Sequence, residues 1–186
     1  MISPLWIFGY GSLIWKADFP FIEKTSGYIK SYVRRFYQCS VDHRGTSAKP
    51  GRVVTLIPTN DTEAKVWGVA YRISSENEES VLRHLDHREK GGYEQVNLKF
   101  YPVDKLRSVM NSFDCITYFA SERNQYFAGE ADINTIARQV VQCSGISGTN
   151  KEYVYKLAES MRNIAPIVED SHLFALEAAV RNLDNS

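Results

Sequence analysis

The hydrophobic period of this chain changes once along its length, and that change limits the possible folds more than any other feature. In the N-terminal two thirds, apolar and polar residues alternate with a period of two, most clearly over Gln95–Phe100. In the last third, apolar residues recur at the spacing of an α-helix, as they do from Ile133 to Val141. A set of strands followed by a set of helices predicts an α+β fold rather than a doubly wound one, in which the two alternate.

The predicted strands are short, rich in β-branched and aromatic residues, and separated by turns that contain proline or glycine. About six of them are expected on this pattern. They cover Leu5–Phe8, Tyr28–Val41, Arg52–Ile57, Lys65–Ile73, Gln95–Phe100 and Phe113–Ala120.

Three helices are predicted in the last third, from apolar spacing and from residues that favour helix ends. The first follows Asp132, whose side chain suits an N-cap, and ends before Gly145. The second spans Lys151–Ile164 and is capped by Thr149 or Asn150. The third begins after Asp170 or Ser171, and its predicted buried residues are Leu173, Phe174, Leu176 and Val180.

Length and composition exclude several classes of protein. At about 150 residues per domain, 186 residues predict a single domain over residues 1–186. The 22 Lys and Arg balance the 22 Asp and Glu, so no net positive field favours nucleic acid or an anionic membrane. Three distant cysteines argue against a disulfide framework or a thiolate zinc site. Since Met1–Trp15 lacks a signal-peptide pattern, and no apolar run reaches the roughly 18 residues of a membrane span, the expected compartment is the cytosol.

A fourth helix is predicted between the strands, and it carries a candidate base. Ser75–Glu78 has the pattern of a capping box, Val81 and Leu85 form part of an apolar stripe, and Glu89 continues that stripe into the last turn. Burial and the negative end of the helix dipole both disfavour a carboxylate anion there, so the pKa of Glu89 is expected to be raised, as suits a general base near neutral pH. The pattern is equally compatible with a Glu89 that only pairs with a nearby cation.

The segment Gly9–Ser12, with the sequence Gly-Tyr-Gly-Ser, follows the first predicted strand directly. Two glycines let the backbone approach a ligand closely, and consecutive N–H groups can bind an anion such as a carboxylate. A tight turn without a ligand explains the pattern equally well. His84 and His87 have a spacing that suits a metal, but no third ligand stands at a recognisable spacing, so no metal site is predicted.

A turn rich in cations offers a second candidate binding region. It contains Arg44, Lys49 and Arg52. Such a cluster can hold a ligand carboxylate through charge-assisted hydrogen bonds, and an ordinary surface loop has the same composition. The pattern alone leaves both interpretations open.

Together and in order, these segments resemble the ChaC-like gamma-glutamylcyclotransferases, in their glutathione-specific branch. The resemblance covers nearly the whole chain. It implies a small mixed sheet that closes toward a β-barrel flanked by helices, and an enzyme that splits glutathione into 5-oxoproline and cysteinylglycine with no cofactor and no metal. The matching segments are Phe8–Lys16, Arg34–Phe36, Asp42–Gly45, Lys49–Leu56, Val66–Arg72, Arg88–Tyr93, Gly145–Tyr153 and His172–Glu177.

The resemblance also implies roles for particular residues. Glu89 matches the catalytic glutamate of the family. The cation-rich turn, and not the resemblance, makes Arg52 the predicted partner of the glycine carboxylate of glutathione, with Tyr153 as a further substrate-binding candidate. The residues that match the loop for the gamma-glutamyl group are Ile7, Phe8, Gly9, Tyr10, Gly11 and Ser12.

The expected partner is therefore a small molecule, glutathione, and neither nucleic acid nor a membrane. The expected assembly is a monomer or a weak homodimer. Two other functions stay open at this point. One is a cyclotransferase that acts on other gamma-glutamyl amines or dipeptides, and the other is a non-catalytic module that binds a small anion.

Overall fold

The computed structural model of the chain describes residues 4–88, 93–103 and 112–184. The chain packs as two compact units, each formed from two separate stretches of sequence. The first unit comprises Met1–Val33 and Pro58–Phe119, and the second comprises Arg34–Ile57 and Ala120–Ser186. The organisation of residues 1–186 as a single domain stays a prediction.

The first unit is built around a closed barrel. Neighbouring strands are antiparallel except where the barrel closes, where β1 (Trp6–Gly9) runs parallel to β7 (Phe113–Phe119), with Ile7 opposite Ile116. The predicted α+β fold, with a mixed sheet that closes into a small barrel, is confirmed. In order of pairing, the strands are β1, β5 (Lys65–Arg72), β2 (Glu23–Lys30), β6 (Glu94–Pro102) and β7.

Large apolar side chains fill the core of this unit. Ile7, Ile29 and Phe100 are fully buried. The ring centroids of Phe8 and Phe100 lie 5.5 Å apart. A closed barrel has no free sheet edge and little freedom to shear, so β1 is a rigid base for the turn that follows it.

The long predicted strand Tyr28–Val41 is in fact two strands. β2 ends at Lys30, and β3 runs from Tyr32 to Ser40. Ser31 lies between them with a φ of 64°, and its main chain bonds to Ala64 and Thr59, each over 3.0 Å. β3 pairs with β4 (Gly51–Pro58) in a separate two-stranded sheet. The prediction of one strand was wrong because partners distant in sequence impose the break.

The helix expected between the strands is present as α1 (Glu78–Arg88) in the first unit. The predicted capping box at Ser75–Glu78 is wrong, because Asn77 precedes the first helical residue. The carbonyl of Asn77 accepts a hydrogen bond from the Val81 N–H over 2.9 Å. Helix α1 therefore begins later than its capping pattern suggested.

Helix α1 is joined to the barrel by a hydrogen bond near its C-terminal end. Its apolar residues Val81 and Leu85 are buried. The hydroxyl of Tyr118, on β7, donates to the Asp86 carboxylate over 2.8 Å. This hydrogen bond holds the C-terminal end of α1 to β7.

The second unit contains the three helices predicted for the last third of the chain, and all three are confirmed. Asp132 caps the first by accepting a hydrogen bond from the Thr135 N–H over 3.0 Å, and Thr149 caps the second through the Glu152 N–H over 3.3 Å. None of the described helices is long and apolar enough to cross a membrane. The helices are α2 (Ile133–Gln142), α3 (Asn150–Ile164) and α4 (Ser171–Asp184), and a hairpin of β8 (Ser144–Gly145) and β9 (Gly148–Thr149) lies between α2 and α3.

A buried carboxylate joins α3 to α4. Glu177 is 3% exposed and accepts hydrogen bonds from Arg162 and, over 2.8 Å, from Nη2 of Arg181. Burial opposes its ionisation, but the two arginines outweigh burial and hold the pKa of Glu177 below its usual value. The guanidinium of Arg162 also covers the ring of Phe174 at 4.7 Å. Phe174, predicted to be buried, is only half-buried under that cation.

His172 is a second internal polar group of this unit. Its Nε2 accepts a hydrogen bond from the Phe36 N–H over 3.2 Å, and its ring stacks on that of Phe36 with 6.0 Å between centroids. Burial, reinforced by nearby Arg35, lowers the pKa of His172 to about 4. The imidazole is therefore neutral near pH 7, as its acceptor role requires.

Candidate active site

The segment Gly9–Ser12 forms a fixed turn at the end of β1. Ser12–Ile14 make one turn of 3-10 helix, and the Ile14 N–H donates to the Gly11 carbonyl over 3.0 Å. The hydroxyl of Tyr71 donates to the Leu13 carbonyl over 2.7 Å. Burial raises the pKa of Tyr71 to about 12, so this phenol keeps its proton and its role as a donor. The N–H groups that open a helical turn have no partner inside it and can face a ligand.

Gly9 is required by the fold itself. A Cβ at this position would lie 2.5 Å from the Cβ of Leu13, which is closer than two carbon atoms can pack. The close approach at Gly9 is thus between two parts of the same chain.

Gly11 occupies a different environment. It has φ −123° and ψ −130°, so no left-handed conformation requires glycine there. Gly11 and Ser12 are partly exposed. A side chain at Gly11 would therefore matter through the space it fills beside the turn.

Three of the six residues predicted for this loop have buried side chains. Ile7 is fully buried and Phe8 is 1% exposed. Tyr10 is 6% exposed, and its hydroxyl donates to the Tyr118 carbonyl over 2.9 Å. Any contact of these three residues with a substrate would have to use the main chain.

Arg88 brings the end of α1 to the turn. Its Nη2 donates to Ser12 Oγ over 2.7 Å, and its Nη1 donates to Asp18 Oδ1 over 2.7 Å. The two acceptors lie 76 and 70 residues away in the sequence. One guanidinium therefore holds α1, the turn and the segment after the turn in a fixed arrangement.

Asp18 is the charged partner in this arrangement. His84 Nε2 lies 3.3 Å from its Oδ1, in addition to Arg88. Partial burial opposes its ionisation, but Arg88 and His84 outweigh that effect and hold the pKa of Asp18 below its usual value. Asp18 therefore stays an anion near neutral pH and keeps Arg88 oriented.

Glu89, the predicted catalytic residue, lies outside the described residues. It follows directly on Arg88, the last residue of α1. The role of Glu89 stays a prediction.

Arg52 lies in the second unit, where much of its guanidinium is already bound. Nε donates to Gln139 Oε1 over 2.8 Å, and Nη1 donates to the carbonyls of Phe36 and Gly129, each over 3.2 Å. Burial lowers the pKa of Arg52, although an arginine remains cationic at neutral pH. Arg52 thus has a structural function in this unit, whatever it does for a substrate.

Tyr153 lies near Arg52 in the second unit, since both contact Phe36. It is 5% exposed, and its ring meets that of Phe36 edge to face with 6.0 Å between centroids. Its hydroxyl accepts a hydrogen bond from the Val54 N–H over 3.5 Å. The structure therefore brings these two predicted substrate residues together around Phe36.

The other two cations of the turn differ in their surroundings. Arg44 is buried and forms an ion pair with Glu152 over 2.7 Å. Lys49 is exposed and borders an open depression of about 390 Å³ that also includes Arg138 and Cys143. The expected cluster is therefore divided between an internal ion pair and a solvent-facing ammonium.

Arg88 and Asp18 were not identified as site residues from the sequence. Asp18 has no motif around it, and Arg88 enters the sequence analysis only as the first residue of the matching segment Arg88–Tyr93. The sole signal was that Arg88 precedes the candidate base within a matching segment. Their connection through Ser12 depends on tertiary structure.

Comparison with known proteins agrees with the segments identified in the sequence. The family model described as ChaC-like protein matches residues 5–183. Glutathione-specific gamma-glutamylcyclotransferase 1 of Danio rerio is 43% identical over 180 residues, which are 96% of this chain and 89% of the relative. The human protein of the same name is 40% identical over 178 residues, 95% of this chain and 78% of the relative.

A solved structure gives the same result at the level of the fold. The crystal structure of the gamma-glutamyl cyclotransferase specific to glutathione from yeast superposes with a TM-score of 0.89 and 27% identity, covering 97% of each chain. The barrel with its fixed turn, the match to the family model and this superposition agree over nearly the whole sequence. The chain therefore belongs to the ChaC-like protein family.

Proposed function

We propose that this protein is a glutathione-specific gamma-glutamylcyclotransferase, which converts glutathione into 5-oxoproline and cysteinylglycine. What carries the proposal is the identity of 40–43% with relatives of that name, extending over 95–96% of the chain. The match to the family model over residues 5–183 spans both Gly9–Ser12 and Arg88–Tyr93.

The reaction is an internal acyl transfer. The α-amine of the gamma-glutamyl group attacks its own gamma carbonyl, so a C–N bond forms within the new ring while the amide C–N bond to cysteine breaks. The amine gives up a proton, and the departing nitrogen gains one. Because the substrate supplies the nucleophile, the protein has only to fold the gamma-glutamyl chain and move that proton.

In this proposal, Glu89 takes the proton from the amine and returns it to the leaving nitrogen. The main chain of Gly9–Ser12 holds the α-carboxylate of the gamma-glutamyl group, and nearby donors stabilise the oxyanion of the tetrahedral intermediate. The contact between Arg88 and Ser12 supports this assignment, because it joins the residue before Glu89 to the turn. Arg52 and Tyr153 remain substrate-binding candidates.

We further propose that the enzyme acts in the cytosol as a monomer or a weak homodimer. All three cysteines are free thiols, which fits a reducing compartment.

The test is to incubate the purified protein with glutathione and to quantify 5-oxoproline and cysteinylglycine. A parallel reaction with gamma-glutamylalanine, which lacks the cysteinylglycine part, measures selectivity. Equal amounts of both products from glutathione, with little turnover of gamma-glutamylalanine, are expected. Comparable turnover of the two substrates would favour a broader cyclotransferase. Binding of glutathione in calorimetry without product would favour a non-catalytic binding module.

A further inference from the structure

We propose that Arg88 is a positioning residue, which makes the Ser12 hydroxyl a hydrogen-bond donor to the substrate. The inference rests on the proposed function, because it assigns a task within the turn that would bind the gamma-glutamyl group. It concerns a contact between two side chains, and it is separate from the proton transfer assigned to Glu89.

A serine hydroxyl has one hydrogen to donate and two lone pairs that accept. A guanidinium can only donate. Since Arg88 Nη2 donates to Ser12 Oγ over 2.7 Å, the Ser12 hydrogen has to point away from Arg88. Over residues 4–88, 93–103 and 112–184, no acceptor takes that hydrogen. Ser12 is partly exposed, so an incoming carboxylate or carbonyl oxygen can accept it.

The Arg88 guanidinium is itself held in place. Its Nη1 forms an ion pair with Asp18 over 2.7 Å, while its Nη2 donates a hydrogen bond to Ser12 Oγ. The Arg88 side chain is only 17% exposed. A planar fork meets two acceptors at once, whereas a lysine ammonium on a flexible stem does not hold both in the same geometry.

Arg88 lies on a rigid element. It ends α1, where a cation is favoured by the helix dipole. The hydrogen bond from Tyr118 to Asp86 anchors the same end of α1 to the barrel. Asp18, Arg88 and Ser12 thus form a chain of contacts that sets the direction of one O–H bond before a substrate arrives.

The test is a double-mutant cycle on Ser12 and Arg88. The proteins are wild type, Ser12→Ala, Arg88→Lys and the double variant, each assayed for kcat and KM with glutathione and titrated with glutathione by calorimetry. Arg83→Lys is the matched control, since Arg83 lies on the same helix and, among the described residues, forms its ion pair with Glu79 at the surface. Thermal unfolding of each variant checks that the fold is kept.

Ser12→Ala or Arg88→Lys alone should raise KM and the dissociation constant for glutathione by about 10- to 100-fold. A rise of this size corresponds to the loss of one charge-assisted hydrogen bond. The double variant should be no weaker than the worse single variant, because Arg88 acts through Ser12. Asp18→Asn, which loosens Arg88 from the other side, should raise KM with Ser12 present and have no effect with Ser12→Ala. Arg83→Lys should match wild type. The proposal would be overturned if the rise in KM of the double variant equalled the product of the rises in Ser12→Ala and Arg88→Lys.

The same set of proteins separates this inference from the proposed function. If wild type turns over glutathione and the effects of Ser12→Ala and Arg88→Lys multiply in the double variant, the proposed function is supported and the positioning role of Arg88 is refuted. Binding of glutathione without turnover would remove the function, and the calorimetric cycle would still decide the coupling between Arg88 and Ser12. Absence of binding by wild type would overturn both.

Discussion

Nε of Arg52 donates a hydrogen bond to Gln139 Oε1 over 2.8 Å, so this proposed substrate ligand also ties β4 to α2. A change at Arg52 therefore alters the protein in two ways. It removes a cation, and it leaves the acceptors at Gln139, Phe36 and Gly129 without their donor. Any assay of Arg52 has to separate these effects.

We predict that Arg52→Gln raises KM for glutathione about 10- to 100-fold, as expected for the loss of a charged hydrogen bond, and also lowers stability. Initial rates and urea denaturation of the same samples measure both quantities. Gln139→Ala is the control, because it removes the Nε partner and keeps the cation. An equal rise in KM in Gln139→Ala would show that Arg52 acts only by holding the second unit together.

Substitutions at Gly9 and Gly11 are predicted to impair different properties of the protein. Gly11→Val should abolish glutathione binding with little change in melting temperature, since the added side chain fills space beside the turn. Gly9→Ala should instead lower stability by about 1–3 kcal/mol, because its Cβ overlaps Leu13. Calorimetric titration and thermal melts distinguish the two results. Normal binding by Gly11→Val would mean that the substrate lies elsewhere.

Glu89→Gln tests the proposed base. The amide keeps the size of the side chain but cannot take up and return a proton near neutral pH. We expect turnover to fall by about 10²–10⁴ while glutathione still binds. Glu79→Gln, an exposed glutamate on α1, is the control and should keep full activity. If Glu89→Gln turned over glutathione normally, another group would have to move the proton.

The lowered pKa of His172 predicts a loss of stability in mild acid. Its value of about 4 in the folded chain lies below the roughly 6.5 of an unfolded histidine, so protons bind more tightly to the unfolded state. Stability should therefore be complete above about pH 6.5 and decline as the pH falls toward 4. Urea denaturation across this range is expected to show the decline in wild type and to show less of it in His172→Gln. His43→Gln, at an exposed histidine of the same unit, should behave like wild type.

The lowered pKa of Glu177 predicts a further loss of folding stability at lower pH. Its pKa is held below the usual 4.5, so its contribution is present above that pH and is lost as the pH falls through the lowered value. Glu177→Gln should lower stability at pH 7 by about 1–3 kcal/mol, since two arginines lose their charged acceptor. Chemical denaturation at pH 7 and pH 3.5 checks this, with the difference between variant and wild type smaller at pH 3.5. An unchanged difference would mean that the carboxylate contributes through its shape alone.

Local sequence signals predicted the N-caps of α2 and α3 correctly, but not the start of α1. Asp132 and Thr149 cap their helices because a side chain and an N–H a few residues on are enough to make the bond. The break at Ser31 could not be predicted in this way, since it depends on Thr59 and Ala64. Regular segments are therefore easier to predict from sequence than the residues at which one strand ends and the next begins.

The candidate site shows the same difference between features with a local sequence signature and features that depend on distant residues. The turn at Gly9–Ser12 was visible as a sequence motif, and its position after β1 followed from the apolar run before it. The link from Ser12 to Arg88 spans 76 residues and has no local signature. The multiple bonds of Arg52 were likewise invisible, because its acceptors come from three distant segments.

Closure of the barrel has a consequence for how the protein is made. Phe8, on the first strand, accepts a hydrogen bond from Thr117, 109 residues later, and the segment Arg34–Ile57 in between belongs to the second unit. A nascent chain emerging from the ribosome exposes β1 long before β7 exists, so early folding cannot complete the sheet. Contacts of such long range slow folding to about milliseconds to seconds and leave apolar strands open to aggregation in the meantime. The turn that carries Ser12 is attached to the first strand synthesised, yet it gains its rigid support only when the last strand of the barrel docks.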